Sequence, residues 1–245
     1  MAGKDAHKGR GGKKIPSPHT DEVPIRRRGV LLLKGRIPSR SEVSARRLGN
    51  DPVDVIVIDE SNSFSSKGDG KRTYLTIVCT RASDPKRMAE SVKLIPVKKG
   101  VRSKYSNARE SDRRRIIKDL AGQDIRIVER HRRIDYDRLD TPEKKERFYM
   151  GILTDALGDA LDLDPEKETD VLIDSPPLDI DDRITELGIR EVGSGRRIRW
   201  YETARSASSP LLQVHDFITG AVSDDVEGIG ESSNLIGILR NRLKK

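Results

Sequence analysis

The sequence predicts an α/β protein in which a mixed sheet of about five strands is flanked by helices. Residues 53–60 form a run that is apolar on both faces, which is typical of a central strand covered on both sides. A long amphipathic helical pattern near the middle of the chain alternates with several shorter apolar runs. These observations predict the element order β-β-α-β-α-β-α-β-α.

The first half of the domain begins with a predicted hairpin. The run 53–60 is followed by a second apolar run at 73–80, and Gly68-Asp69-Gly70 between them supplies a turn. A helix is predicted over 108–121, with Gly122 at its C-terminal end, and the third strand follows at 125–128.

The second half begins with the clearest helix of the chain. Thr141 is suited to cap it, and Pro142 fits the first helical position. The fourth strand is predicted at 171–174, and a helix over 180–187 is expected to end at Gly188. The helix after Thr141 is marked by a continuous apolar stripe of Tyr149, Ile152, Leu153, Ala156, Leu157, Ala160 and Leu161.

The remaining elements are a fifth strand at 198–201 and a helix that starts at Pro210. The boundaries that follow are a basic N-terminal arm at 1–50, a domain at 51–230 and a basic C-terminal segment at 231–245. The arm has 13 Lys or Arg against 4 Asp or Glu, with the composition of a flexible polyanion-binding segment.

Composition limits the classes of protein to which this chain can belong. No run approaches the roughly 20 apolar residues that span a bilayer, so no membrane partner is expected. Cys79 is the single cysteine and lies in an apolar run, which indicates a buried thiol and a reducing, cytoplasmic setting. Residues 81–133 carry 17 basic and 7 acidic side chains, which fits a second region for a nucleic acid partner and fits a solvated face equally well.

Three acidic residues stand out by their positions. Asp59 closes the first strand, Asp174 closes the fourth, and Asp216 lies within the helix that starts at Pro210. A carboxylate at a buried strand end is costly unless a partner or a metal compensates it. Acids that meet at one sheet edge predict a site for Mg²⁺ or Mn²⁺, of the kind that hydrolyses phosphodiesters.

Periodicity orients these side chains. Alternation along the strand places Asp59 and Glu60 on opposite faces, so Asp59 is the predicted ligand and Glu60 a lesser one. On the late helix, Gln213, Asp216 and Gly220 share a face, with Gly220 allowing close approach. The alternative is that Asp216 is an exposed residue of an amphipathic helix.

Other sites are excluded by spacing. No Gly-Lys-Ser/Thr loop precedes Asp59, which argues against a nucleotide-binding loop. Ser61 stands where a phosphatase of the Asp-x-Asp type has its second aspartate. Four histidines and one cysteine, without metal-ligand spacing, argue against a zinc site.

Two motifs resemble those of a large family of unknown function with a ribonuclease-H-like fold. The first is Ile58-Asp59-Glu60-Ser61 on the opening strand, and the second is the Ser-rich approach to Leu212-Gln213-Val214-His215-Asp216 with Gly220 after it. The resemblance covers roughly residues 53–225. This chain departs from the family in having Asn62, where a glycine is frequent.

The resemblance implies a sheet ordered as in ribonuclease H and a magnesium or manganese site formed by Asp59, Asp174 and Asp216. Ser61, Gln213 and His215 would support these ligands, although His215 is better explained as a structural histidine. A fourth carboxylate is left open among Glu60, Glu202 and Asp179.

The resulting hypothesis is a metal-dependent nuclease, or a nuclease-like protein that processes RNA or DNA, with a protein partner possible. The expected phosphate contacts are Arg26, Arg27, Arg28, Lys98, Lys99 and Lys104. Sparse aromatic residues favour recognition of the nucleic acid backbone over base stacking. The alternatives are a non-catalytic RNA- or ribonucleoprotein-binding protein, with structural acids, and a toxin or defence component acting with a partner.

Overall fold

The structure, a computed structural model, describes residues 53–61, 73–177, 180–193, 198–229 and 233–244. The arm residues Arg26, Arg27 and Arg28, and the loop Gly68–Gly70, lie outside these ranges. The same is true of Asp179.

Within the described residues, the strands form a main sheet and a separate two-stranded hairpin. The hairpin is formed by β3 Val97–Lys98 and β4 Val101–Arg102. The strands of the main sheet are β1 Asp54–Ser61, β2 Tyr74–Ala82, β5 Ile125–Arg133, β6 Thr169–Asp174, β7 Ile198–Ala204 and β8 Leu243–Lys244.

The six strands of the main sheet follow the order β7-β6-β1-β2-β5-β8. β1 is antiparallel to β2, β2 is antiparallel to β5, and β6 and β7 extend the other side in parallel. β8 adds to β5 in parallel.

An antiparallel meander of three strands, extended by two parallel strands beyond β1, is the sheet of the ribonuclease-H-like fold. The predicted fold class is therefore confirmed. β8 is an addition to the predicted five strands, and it arises in the C-terminal segment. None of the helices in the described part of the chain has the length and apolar character needed to cross a lipid bilayer.

Helices cover both faces of the sheet. They are α1 Pro85–Glu90, α2 Glu110–Ala121, α3 Pro142–Asp162, α4 Asp182–Gly193, α5 Pro210–Val226 and α6 Ser233–Leu239. Residues of α1, α2, α5 and α6 share one core with Val55 and Val57 of β1. Residues of α3 and α4 share the other core with Ile56 and Ile58. Alternation along β1 thus divides the protein into two layers of helices on one sheet.

Local chemistry explains where the two long helices begin. The Thr141 hydroxyl accepts the Lys144 N–H at 3.4 Å at the start of α3, and Ser209 accepts the Leu212 N–H at 3.4 Å at the start of α5. A proline occupies the first turn of each helix, where its missing N–H costs nothing. All seven residues of the predicted α3 stripe are buried.

One prediction about the elements was wrong. Gly188 does not end a helix, because α4 continues to Gly193. A Cβ at Gly188 would be in ordinary van der Waals contact with Leu153 Cδ2 at 3.4 Å, so this position lies where α4 packs on α3. The Lys/Arg-rich connection before α2 contains the hairpin of β3 and β4, which the sequence did not predict.

Candidate active site

The edge of the sheet where β1 and β6 end brings two of the predicted acids together. Ile58 pairs with Ile173 in parallel register, so Asp59 and Asp174 follow at neighbouring strand ends. Asp59 is 6% exposed, whereas Asp174 and Asp216 are half-buried. Asp216 approaches from α5, which packs against the same face of β1 as Val55 and Val57.

Burial and mutual repulsion dominate the electrostatics of these acids. Burial raises the pKa of Asp59 well above its usual range, and repulsion from Asp216 and Asp174 raises it further. The pKa of Asp174 and that of Asp216 are also raised, mainly by burial. Lys104 opposes the shift of both pKa values, which indicates that its ammonium lies near both carboxylates.

Backbone N–H groups donate to all three carboxylates, and for Asp59 the donor is Glu60. Asp174 Oδ1 accepts from Ser175 N at 2.9 Å and from Ser206 N at 3.0 Å, which ties the end of β6 to the turn before α5. Asp216 Oδ2 accepts from Tyr105 N at 2.7 Å. Both acids therefore have fixed positions in the protein without any cation.

A chain of hydrogen bonds reaches Asp59 from β2 through α5. His215 lies between two hydroxyls, with Nε2 3.0 Å from Thr80 Oγ1 and Nδ1 3.3 Å from Thr219 Oγ1. Thr219 in turn donates to Asp59. Burial lowers the pKa of His215 to about 3, so the ring is neutral at physiological pH.

The direction of this chain follows from its last member. The hydrogen bond from Thr219 lowers the pKa of Asp59, so the Thr219 hydroxyl donates and the carboxylate accepts. His215 Nδ1 must then carry the proton, and Nε2 accepts from Thr80. His215 supports Asp59 through Thr219 and, being buried against β2, does not act on Asp216 beside it in sequence.

The other predicted supporting residues have different surroundings. Gln213 Nε2 donates to Ala207 O at 3.0 Å, bracing the turn before α5. Ser61 is half-buried at the end of β1, opposite Thr76. Neither position tests the supporting role predicted for it.

Of the candidates for a fourth carboxylate, Glu60 interacts electrostatically with Asp59 and Asp174. Burial raises its pKa well above the usual range, and repulsion from Asp59 and Asp174 adds to this. Its side chain meets the Tyr149 hydroxyl from α3, on the sheet face opposite α5. Glu202 lies on β7 opposite Leu172.

The predicted close approach at Gly220 is present. A Cβ built on Gly220 would lie 2.2 Å from Tyr105 Cδ1, so only glycine leaves room for this ring. Tyr105 is buried, its ring meets Phe217 edge-on, and its hydroxyl donates to Asp224 Oδ2 at 2.9 Å. The notch at Gly220 thus positions the backbone N–H that binds Asp216.

Several of these partners were not predicted. His215 and Thr219 are one helical turn apart, a spacing that could have suggested their contact. Thr80 and Tyr105 are far away in the sequence, and nothing local signals them.

The donor set and its electrostatics suit a hard divalent cation, because carboxylate oxygens are the preferred ligands of Mg²⁺ and Mn²⁺. A cation would also relieve the repulsion that raises these pKa values. As the side chains lie, however, no group of three or more His, Cys, Asp or Glu within the described ranges has the arrangement that would hold a metal ion.

No protein-family model matches the chain, and no curated protein matches it. Among solved structures, the chain is similar to a chain of the complex of PCNA with RNase HII from Archaeoglobus fulgidus. That similarity has 18% sequence identity and a TM-score of 0.42, and it covers 71% of this chain and 74% of that chain.

Proposed function

We propose that this protein is a divalent-metal-dependent nuclease, or a nuclease-like protein that processes RNA or DNA by phosphodiester hydrolysis. The observation that supports it is the meeting of Asp59, Asp174 and Asp216, from β1, β6 and α5, with mutual repulsion between them. An acid cluster of this kind is unfavourable by itself and becomes favourable when a cation joins it.

In this proposal Asp59, Asp174 and Asp216 hold Mg²⁺ or Mn²⁺, and Glu60 is the fourth carboxylate. When bound, the metal supplies an activated water and charge stabilisation at the phosphate. The protein's own groups supply positive charge and hold the carboxylates in place. Lys104 offers a cation beside the acids, and Thr219, oriented by His215, donates to Asp59 and favours its charged form.

The test is cleavage of labelled RNA and DNA with Mn²⁺ or Mg²⁺ by the wild type and by Asp59→Asn. Activity should fall by at least the ~10–100-fold that follows loss of a group supporting a metal ligand. The matched control is Asp155→Asn, because Asp155 lies on α3 and pairs with Arg132 at the surface. Equal cleavage by wild type and Asp59→Asn would remove Asp59 from the mechanism.

A second candidate is a non-catalytic RNA- or ribonucleoprotein-binding protein. The specific observation in its favour is that backbone N–H groups already satisfy Asp174 and Asp216. Calorimetry with Mn²⁺ separates the two functions. A nuclease binds Mn²⁺ with an affinity that Asp59→Asn weakens, whereas the binding protein shows neither a metal isotherm nor metal-stimulated cleavage.

A further inference from the structure

The residues of the β3–β4 hairpin are exposed to solvent. Val97, Lys98, Val101 and Arg102 are all exposed, and the two valines are 61% and 70% exposed. Directly opposed residues of an antiparallel pair share a face, so Val97 lies beside Arg102 and Lys98 beside Val101. Each face of this ribbon therefore presents one valine and one cation to solvent.

The base of the hairpin is fixed beside the carboxylates. Ser103 N donates to Pro96 O at 2.9 Å and closes the ribbon. Two residues later, Tyr105 fills the notch at Gly220 and donates its N–H to Asp216. Lys104 lies between these two anchors and acts electrostatically on both Asp174 and Asp216. A hairpin of two-residue strands is marginal in water, and these anchors give it a defined base.

The turn of the hairpin has an unusual residue. Lys99 has φ of 51° and Gly100 has φ of 78°, so both central residues of this two-residue turn adopt left-handed backbone. Turns of this kind strongly favour Asn-Gly, and a lysine in that region is uncommon. Folding alone would favour Asn at this position, so the lysine indicates that a cation is needed at the tip.

The chain segment that contains the hairpin carries charge of one sign. Residues 93–109 include six Lys or Arg and no Asp or Glu. The single aromatic residue of this segment, Tyr105, is buried and cannot stack on a base. An extended chain from Lys104 to Lys99 reaches on the order of 15 Å, comparable with about four nucleotides of one duplex strand at 3.4 Å each. This chemistry fits a sugar–phosphate backbone.

From these observations we infer that the β3–β4 hairpin binds the phosphate backbone of a nucleic acid and leads it to the carboxylates at the end of β1. The inference rests on the proposed function for its substrate class. The hairpin recognises the backbone without reading bases, and Lys104 takes the phosphate nearest to Asp174 and Asp216.

The test measures binding alone, so that its failure is distinct from a failure of catalysis. Full-length Asp59→Asn protein is titrated, in EDTA, into fluorescein-labelled RNA and DNA duplexes and single strands. The hairpin variant combines Lys98→Ala, Lys99→Asn and Arg102→Ala. The control combines Lys144→Ala, Lys145→Ala and Arg147→Ala, which remove equal charge from α3 on the opposite face of the sheet.

The hairpin variant should raise the Kd at least about tenfold at moderate salt. It should also reduce the slope of log K against log salt by about 0.9 for each duplex phosphate that the protein no longer neutralises. The control should change both quantities much less. Unchanged binding in the hairpin variant, or an equal weakening in the control, would overturn the inference. Weakening confined to either RNA or DNA identifies which of them the hairpin prefers.

Two further measurements distinguish the loss of nucleic acid contacts from a loss of folding stability. Lys99→Asn alone gives the turn its preferred residue, so the Tm should hold or rise while affinity falls. A photo-cross-linking amino acid at Val101 should attach to the labelled strand, whereas the same group at Leu187 of α4, which is 53% exposed, should not. Cross-linking at Leu187 but not at Val101 would place the nucleic acid elsewhere.

Discussion

The two ends of β1 each hold a buried aspartate, and the surroundings of the two are opposite. Asp54, at the start, is fully buried and pairs with Arg81 Nε at 2.7 Å and with Lys167 Nζ at 2.6 Å. Asp59, near the other end, meets Asp174 and Asp216. β1 thus has a neutralised carboxylate at one end and, at the other, a carboxylate that neighbouring carboxylates repel.

The contrast identifies Asp54 as a structural acid and sets Asp59 apart from it. At the Asp54 end, Arg81 also donates to the carbonyls of Leu161 and Asp164, at 3.4 and 3.2 Å, so both partners are built into the fold. At the Asp59 end, the protein supplies hydrogen bonds but tolerates repulsion. Unrelieved repulsion in a buried cluster is typical of a functional site.

The largest expected effect is at the neutralised end. Asp54→Asn leaves the guanidinium of Arg81 buried without a counter-charge, and removing one partner of such a pair typically costs about 3–5 kcal/mol. Urea denaturation of the metal-free protein measures the loss. The control is Asp155→Asn, whose surface pair with Arg132 should be worth less than about 1 kcal/mol. Equal losses in the two variants would contradict a special role for the Asp54 pair.

At the Asp59 end, replacing the aspartate by asparagine should change the free energy of unfolding in the opposite direction. Because the pKa of Asp59 is raised in the folded protein, its charged form destabilises the metal-free protein above that pKa. Asp59→Asn should therefore increase the free energy of unfolding at neutral pH by about 1 kcal/mol or more, since each pKa unit is worth about 1.4 kcal/mol.

The pH dependence gives the sharper form of this prediction. The folded protein binds more protons than the unfolded chain between the ordinary carboxyl pKa of ~4 and the raised pKa, so the contribution of Asp59 to stability falls as pH rises through that window. Asp59→Asn removes this fall, and Mn²⁺ should raise the Tm of the wild type more than that of the variant. A stability curve of the variant parallel to that of the wild type would show that Asp59 is not repelled.

Much of the Asp59 end could be predicted from sequence because it depends on local patterns, whereas the pairing of Asp54 with Arg81 was not predicted. Alternation along β1 correctly placed Asp59 and Glu60 on opposite faces, towards α5 and α3 respectively. The helical period correctly identified Gly220 as a point of close approach. Strand ends and helix faces are set by neighbours in sequence, so these predictions needed no tertiary information.

The remainder depends on contacts between distant residues. The partner at Gly220 proved to be Tyr105, 115 positions earlier, and His215 meets Thr80, which no local period marks. Gly188 has the sequence signature of a helix end, yet packing of α4 on α3 outweighs it. The pairing of β8 with β5 was missed because two-residue strands leave almost no periodic signal.

The smallest expected effect concerns the support of Asp59. Thr219→Val removes the hydroxyl that donates to Asp59 and accepts from His215, leaving the pKa of Asp59 higher still and one buried donor unpaired. The expected cost is about 1–2 kcal/mol at neutral pH, with a steeper decline of stability as pH rises. Thr154→Val is the matched control, because its hydroxyl bonds the Met150 and Gly151 carbonyls within α3.

The pH titration of the Asp59 carboxyl group, monitored by ¹³C NMR in both valine variants, distinguishes electrostatic support of Asp59 from a packing role of Thr219. Thr219→Val should move the Asp59 titration to higher pH and weaken Mn²⁺ binding, whereas Thr154→Val should leave both unchanged. An unshifted Asp59 in Thr219→Val would mean that its pKa is governed by burial and by repulsion from Asp216 and Asp174, without a contribution from Thr219. The hydrogen-bond chain from Thr80 would then serve only to hold α5 on β2.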